Sequence, residues 1–149
     1  MTLSYAGSAE LADRYLELLR ETLTFSLWDH QDGRIWEPRG LVQQLVHRFL
    51  AARGLDLLRH TTAELRGTGQ DWPRLAHTMT GSLRLKALQE AIEQVLADDV
   101  PGDLIETGVW RGGSCIMMRG VLAAHGVRDR TVWVADSFDG LPTPGATCT

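Results

Sequence analysis

Two carboxylates flank a glycine-rich stretch near the end of the sequence, and this arrangement suits the binding of a nucleotide-like ligand. Glu106 precedes the stretch, glycines occupy positions 108, 112 and 113, and Asp136 follows a further apolar run. Glycines permit positive φ angles and let a ligand approach the backbone closely. A glycine turn at a helix N-terminus presents N–H groups to an anionic ligand group. An acid placed like Asp136 usually accepts hydrogen bonds from ribose hydroxyls.

The order of the glycines argues against a nicotinamide cofactor. The dinucleotide fingerprint is G-x-G-x-x-G, whereas the sequence from Gly108 to Gly113 has the order G-x-x-x-G-G. A carboxylate before such a turn better suits a cationic amino-acid group beside a nucleoside. S-adenosylmethionine combines an ammonium, a carboxylate, a sulfonium and an adenosine. We therefore interpret the stretch as part of an S-adenosylmethionine site, with an NAD-type site as the weaker alternative.

A second segment, Ala76-His-Thr-Met-Thr-Gly81, is a candidate for the nucleoside side of the same pocket. The sulfur of Met79 could lie beside the sulfonium of the donor. The alternative is a buried helix start in which Thr80 or Ser82 is the N-cap. The complete set of predicted cofactor-binding residues is Thr78, Met79, Glu106, Thr107, Gly108, Arg111, Gly112, Gly113, Ser114, Asp136 and Ser137.

Two other groups of polar residues are better explained as surface turns. Asp29, His30 and Asp32 have a spacing that suits no metal-ligand set, so we expect a solvated loop with an Asp-Gly turn. Asp98 and Asp99 stand before Pro-Gly at the end of a predicted helix, where solvated turn residues are expected. The sequence therefore identifies no metal ligand and no catalytic residue.

The elements that must position the glycine stretch form one strand–helix–strand unit. Apolar patterning predicts a short strand over 103–107, a helix over 112–125 and a β-branched, aromatic strand over 131–136. A further helix is predicted over 82–98. The predicted fold class is α/β, namely the first βαβ unit of a Rossmann-like class I methyltransferase fold preceded by an N-terminal helical region.

Residues 1–66 are predicted to form a helical cap or oligomerisation region, and we expect a homo-oligomer. A second amphipathic helix is predicted from Leu41 to Leu50, ending near Gly54, with an extension through Leu55 to Leu58. Gly67-Thr-Gly-Gln70 is predicted to be a flexible linker. Residues 67–149 then form the start of the S-adenosylmethionine-binding domain, truncated after its second strand. The first helix is predicted over 8–27, and its apolar positions are Leu11, Tyr15, Leu18, Leu19 and Leu23.

Composition excludes several kinds of function. A length of 149 residues suffices for one domain, and a net charge of −4 provides no broad basic surface for nucleic acid. We find neither a signal-peptide pattern nor an apolar run of membrane-spanning length, so no membrane partner is expected. Cys115 and Cys148 have no metal or disulfide spacing, which favours a reducing cytoplasm.

The motifs of the second half of the sequence closely resemble those of the macrocin O-methyltransferase family. The resemblance covers roughly residues 71–142, and its most specific run is Val100-Pro-Gly-Asp-Leu-Ile-Glu-Thr-Gly-Val-Trp-Arg-Gly-Gly113. It implies that S-adenosylmethionine and magnesium are used to methylate sugar hydroxyls on macrolides and related natural products. The resemblance also implies that the magnesium ligands, the catalytic base and most of the acceptor pocket lie on later strands.

Because the sequence stops soon after Asp136, we expect the N-terminal portion of such an O-methyltransferase, inactive alone. Its partner would be a sugar-bearing small molecule. The alternative function is that of a non-catalytic helical and Rossmann-like fragment, which acts as a binding or interaction module.

Overall fold

A computed structural model describes residues 5–140, without the side chains of residues 5, 6, 29–31 and 34. Within this part of the chain, no helix is long and apolar enough to cross a membrane. In chain order the elements are helix α1 (Tyr5–Thr24), a 3₁₀ helix (Ser26–Gln31), strand β1 (Gly33–Ile35), helix α2 (Leu41–Ala51), strand β2 (Leu58–His60), helix α3 (Ala63–Thr68), helix α4 (Gly81–Ala97), strand β3 (Leu104–Thr107), helix α5 (Gly113–Ala124) and strand β4 (Val132–Ala135).

The predicted βαβ unit is confirmed. β3 and β4 pair in parallel, with Leu104 opposite Val132 and Thr107 opposite Ala135, and α5 connects them. Each element lies within a residue or two of its predicted bounds, and the α/β fold class is confirmed with it. The carboxyl ends of both strands therefore meet at one edge of the sheet, which is where ligands bind in open α/β sheets.

The core lies where α1 and α4 pack against α5. Met117, Val121 and Leu122 of α5 are fully buried, and Leu85 and Ile92 of α4 lie against them. Met117 and Val121 are one helical turn apart, and Leu85 and Ile92 are two turns apart, so each helix presents one apolar side to the others. The helix that was predicted over 82–98 is confirmed as α4.

The bounds and the buried side of the first helix differ from the prediction. α1 ends at Thr24, and the chain continues as a 3₁₀ helix from Ser26. Leu16, which the predicted apolar set omitted, is fully buried, while Leu11 is 68% exposed. The apolar side of α1 is wider than the part of the helix surface that packs against α5, so some of its apolar residues remain exposed. Only the side of the helix that carries Leu16 and Leu23 reaches the core.

The predicted linker over residues 67–70 is wrong. Gly67 and Thr68 belong to α3, whose C-cap residue, Gly69, has a left-handed conformation. A Cβ on Gly69 would lie 2.5 Å from the carbonyl oxygen of Thr80, and one on Gly81 would lie 2.5 Å from that of Gly67. The glycines are thus required because two backbone segments pack directly on each other, and not because the chain must be flexible.

The region between α1 and α3 contains a short antiparallel pairing that the sequence did not reveal. β1 and β2 pair with Gly33 opposite His60 and Ile35 opposite Leu58. Leu58 is therefore part of a strand, and the predicted helical extension through Leu55 to Leu58 is wrong. The predicted second helix is confirmed as α2, although none of its residues is buried.

Candidate functional site

The glycine turn joins the end of β3 to the beginning of α5. Gly108 and Gly112 have φ angles of +82° and +79°, a region that residues with a side chain rarely adopt. The amide of Gly108 donates to the carbonyl oxygen of Ala135 at 3.1 Å, which continues the strand pairing into the turn. Gly112 is the N-cap of α5, so the helix begins at the point where the turn leaves the sheet.

The first amide of α5 already donates a hydrogen bond to another part of the chain. Gly113 N–H donates to the carbonyl oxygen of His77 at 3.0 Å, and a Cβ on Gly113 would lie 2.5 Å from that oxygen. Gly113 therefore lets the segment around His77 and Thr78 lie directly against the helix N-terminus. The first turn of an α-helix has further N–H groups without an intrahelical partner, and these lie beside the turn.

Asp136, at the end of β4, is hydrogen-bonded to two loop amides. Its Oδ2 accepts from Val109 N–H at 2.6 Å, and its Oδ1 accepts from Phe138 N–H at 3.0 Å. Hydrogen bonds from these two amides lower the pKa of Asp136 below the usual value for an aspartate, and the bond from Phe138 has the larger effect. Asp136 therefore ties the glycine turn to the end of the neighbouring strand. Each carboxylate oxygen can still accept a second hydrogen bond, for example from a ligand hydroxyl.

Glu106, at the end of β3, has a cysteine as its hydrogen-bond donor. The Sγ of Cys115 lies 2.9 Å from Oε2 of Glu106, across the start of α5. Burial of the thiol, and then this hydrogen bond to the carboxylate, raise the pKa of Cys115 to about 11. The thiol therefore stays protonated near neutral pH and holds one oxygen of Glu106 toward the helix.

Glu106 and Ser114 border a groove of about 240 Å³ between α4, β3 and α5. Both residues were predicted to contact the cofactor. Its other lining residues were not predicted: they are Thr80, Arg84, Leu85, Leu88, Ile105 and Met118. Arg84 could have been suspected from its place one turn into α4, but the sequence does not show that α4 lies beside β3.

The segment that contains Thr78 and Met79 lies next to the glycine turn. Thr78 is 5% exposed, and its hydroxyl accepts a hydrogen bond from Thr80 N–H at 3.2 Å. Arg111 fastens the other end of the segment, since its Nη1 donates to the carbonyl oxygens of Arg74 and Ala76 at 2.7 and 3.1 Å. Thr80 is the N-cap of α4 by position, but its side chain makes no capping hydrogen bond.

Most of the predicted site residues fall into two neighbouring groups. Thr78, Glu106, Gly113 and Ser114 surround the start of α5 on the side of α4, while Gly108 and Asp136 lie at the carboxyl ends of the two strands. Thr107 and Ser137 are exposed beside them. Arg111 lies apart from the groove, because it borders a larger cleft of about 410 Å³ with Trp72, Arg74 and Glu37.

The interpretation of residues 29–32 as a solvated loop is wrong for Asp32. Its side chain is fully buried and lies 3.2 Å from Nη1 of Arg66, a residue of α3. The side chains of Asp29 and His30 lie outside the described residues. Among the residues whose side chains are described, no group of three His, Cys, Asp or Glu residues could hold a metal ion.

Comparison with known proteins extends the resemblance beyond residues 71–142. The sequence model of the macrocin O-methyltransferase (TylF) family matches residues 12–149. Demethyldecarbamoylnovobiocin O-methyltransferase from Streptomyces niveus is 62% identical over 88% of this chain and 44% of its own length. The chain is also 64% identical, over 90% of its length and 44% of the relative, to 8-demethyl-8-(2,3-dimethoxy-alpha-L-rhamnosyl)-tetracenomycin-C 4'-O-methyltransferase from Streptomyces olivaceus.

A solved structure shows the same fold. The O-methyltransferase NovP superposes with a TM-score of 0.68 at 41% identity, over 91% of this chain and 46% of that one. The chain thus spans less than half the length of the proteins that it matches. Because the family match covers nearly the whole sequence and includes the glycine turn with both flanking carboxylates, the chain belongs to the macrocin O-methyltransferase (TylF) family.

Proposed function

We propose that this chain carries the donor-binding half of an S-adenosylmethionine-dependent O-methyltransferase. The observation that supports this most directly is the arrangement of Glu106 and Asp136. The two carboxylates end adjacent parallel strands, on either side of a glycine turn that begins α5. Carboxylates at strand ends suit an ammonium and ribose hydroxyls, which are the groups that S-adenosylmethionine presents.

The proposed donor contacts follow from that arrangement. Glu106 and the turn from Thr107 to Ser114 receive the amino-acid end of the donor, and Asp136 with Ser137 receives the ribose. Thr78 and Met79 border the nucleoside, with the methionine sulfur on the side of the sulfonium. Arg111 acts from the neighbouring cleft, where it holds the carbonyl oxygens of Arg74 and Ala76.

The proposed reaction is transfer of the donor methyl group to a sugar hydroxyl of a natural product. The bond from sulfur to the methyl carbon breaks as the bond from the hydroxyl oxygen forms, and the neutral thioether leaves. The hydroxyl proton must pass to a base, since an alcohol is a very weak acid. A rhamnosyl group in the name of the Streptomyces olivaceus relative supports a sugar-bearing acceptor.

Magnesium, which the family resemblance implies, finds no fitting set of ligands in the described residues. Glu106 is bonded to Cys115 and Asp136 to two amides, and no group of three suitable side chains exists among the residues described. We also propose that the protein works in a reducing cytoplasm and forms a homo-oligomer. Residues 1–66 would be its helical cap or oligomerisation region, and residues 67–149 would be the start of its donor-binding domain.

A non-catalytic interaction module is the second candidate function, and α2 is the observation that favours it. Leu41, Val42 and Leu45 of this helix are 81%, 74% and 65% exposed. A helix with such an apolar side usually buries it against something. This function would require α2, and not the glycine turn, to bind the partner.

Titration calorimetry of the chain with S-adenosylmethionine, S-adenosylhomocysteine and NAD tests the proposal. We expect both sulfur-containing ligands to bind and NAD not to bind. Asp136→Asn should weaken binding, and Asp98→Asn, at the C-cap of α4, is the matched control and should leave it unchanged. Equal binding of NAD, or no binding of S-adenosylmethionine, would contradict the proposal.

A radiolabelled methyl-transfer assay with deoxysugar acceptors should give no turnover for this chain alone.

A further inference from the structure

Arg66 is a buried cation that the proposed reaction does not use. It is 3% exposed, and its Nη1 donates to the carbonyl oxygen of Thr24 at 3.0 Å. The same nitrogen lies 3.2 Å from Oδ2 of Asp32, while Nε donates to Oδ2 of Asp71 at 2.5 Å. Arg66 therefore joins the end of α1, the residue before β1 and a residue of the loop that follows α3.

Asp32 passes this constraint on to residues 71–80, which we call the 71–80 segment. Its Oδ1 accepts hydrogen bonds from the backbone amides of Arg74 and Leu75 at 3.1 and 3.3 Å. Asp32 is fully buried, so it can hold these amides in one place only while a cation neutralises its charge. Arg66 is the cation that lies beside it.

The 71–80 segment is what borders the proposed donor site. His77 N–H donates to the carbonyl oxygen of Leu23 at 2.8 Å, and His77 in turn accepts from Gly113 N–H at 3.0 Å. Thr78, the next residue, is buried against Gly113. A shift of the segment would therefore move Thr78 and Met79 relative to the first turn of α5.

Resting on the proposed donor site, we propose that Arg66 is a positioning residue for donor binding. Its planar guanidinium reaches Asp32 and Asp71 with different nitrogens, and so fixes both ends of the first half of the segment. A lysine has the same charge but a single nitrogen, which cannot reproduce that fork. Donor affinity should thus depend on the shape of this side chain, although Arg66 does not border the groove between α4, β3 and α5.

The test compares Arg66→Lys and Asp71→Asn with Ile92→Ala, a control that removes part of a buried side chain of α4 outside the 71–80 segment. Arg66→Lys should weaken S-adenosylmethionine binding by on the order of tenfold in calorimetry, since a less ordered site binds less tightly. Asp71→Asn, the milder change, should weaken it less. Ile92→Ala should lower the thermal midpoint at least as much, without weakening the binding.

Amide hydrogen exchange, measured without ligand, provides the second readout. In Arg66→Lys the amides of Arg74, Leu75 and His77 should exchange faster, while the amides of α5 after its first turn, from Met117 onward, should stay unchanged. Unchanged exchange, or faster exchange with undiminished donor affinity, would overturn the inference. Failure of the unmodified chain to bind S-adenosylmethionine would instead overturn the proposed function, and the role in donor binding would fall with it.

Discussion

Gly113→Ala should destabilise the protein, even though alanine is the better helix former. Gly113 begins α5, and a Cβ there would lie 2.5 Å from the carbonyl oxygen of His77 and 2.6 Å from the Cβ of Thr78. Neither atom is the end of a flexible side chain. His77 cannot easily move aside, because its amide is bonded to Leu23 and its carbonyl oxygen to Gly113.

Two opposing contributions set the size of the effect. Replacing glycine by alanine in a helix gains about 1 kcal/mol. Overpacking of a rigid site costs about 1–3 kcal/mol, and the upper part of this range applies because the obstacle is backbone. The net loss should be about 2 kcal/mol, which for a chain of this length lowers the thermal midpoint by about 4–8 °C.

Urea and thermal denaturation followed by circular dichroism measure this loss. Gly7→Ala is the matched control, because a Cβ there would meet nothing within 4 Å. That variant should gain about 0.5–1 kcal/mol from its place in α1. If Gly113→Ala were as stable as the unmodified chain, the close approach of residues 77–78 to α5 would be refuted, and with it the proposed position of Thr78.

Further predictions concern the core and the two carboxylates. Leu16→Ala should cost about 2–5 kcal/mol in urea denaturation because the side chain is fully buried, whereas Leu11→Ala should change stability by less than about 0.5 kcal/mol. Because the pKa of Asp136 is lowered in the folded protein, the ionised carboxylate should stabilise the fold at pH values above 3.8, the ordinary pKa of an aspartate, and this stabilisation should be lost as the pH falls below 3.8. The pH profile of stability of Asp136→Asn should lack this contribution. A profile identical to that of the unmodified chain would contradict the prediction. In a Cys148→Ser background, the ultraviolet absorbance of the Cys115 thiolate should appear near pH 11, and stability should fall as pH rises from 9.0 to that value. A midpoint near 9.0 would contradict both the burial of the thiol and its hydrogen bond to Glu106.

The βαβ unit could be predicted because its signals are local. The apolar patterns of residues 104–107, 113–124 and 132–135 each identify one element, and the turn glycines mark the change from strand to helix. The pairing of β1 with β2 gave no such signal, because strands of three residues are too short to show a periodic pattern. The glycines at 67 and 69 carry a pattern that is ambiguous in sequence. The same residues suit a flexible linker and a close backbone contact.

The identity of the two carboxylates could also be predicted, but their hydrogen-bond partners could not. The sequence predicts that Asp136 accepts hydrogen bonds from ribose hydroxyls, and it does not show that the amides of Val109 and Phe138 also donate to this carboxylate. The sequence places Cys115 in the predicted helix over 112–125, but its hydrogen bond to Glu106 depends on how α5 lies over β3. The sequence specifies which side chains lie at the strand ends, whereas the packing of the fold determines which hydrogen bonds each side chain makes within the protein.

Asp32 shows why a buried charge is the hardest feature to infer from sequence. On its own, an aspartate before glycine is most simply a turn residue in water. Its burial becomes favourable only because Arg66 supplies the opposite charge and the amides of Gly33, Arg74 and Leu75 supply hydrogen bonds. All but one of these partners are distant in sequence. Such a group is a consequence of the completed fold, and it therefore reports on the position of the 71–80 segment more directly than any local pattern does.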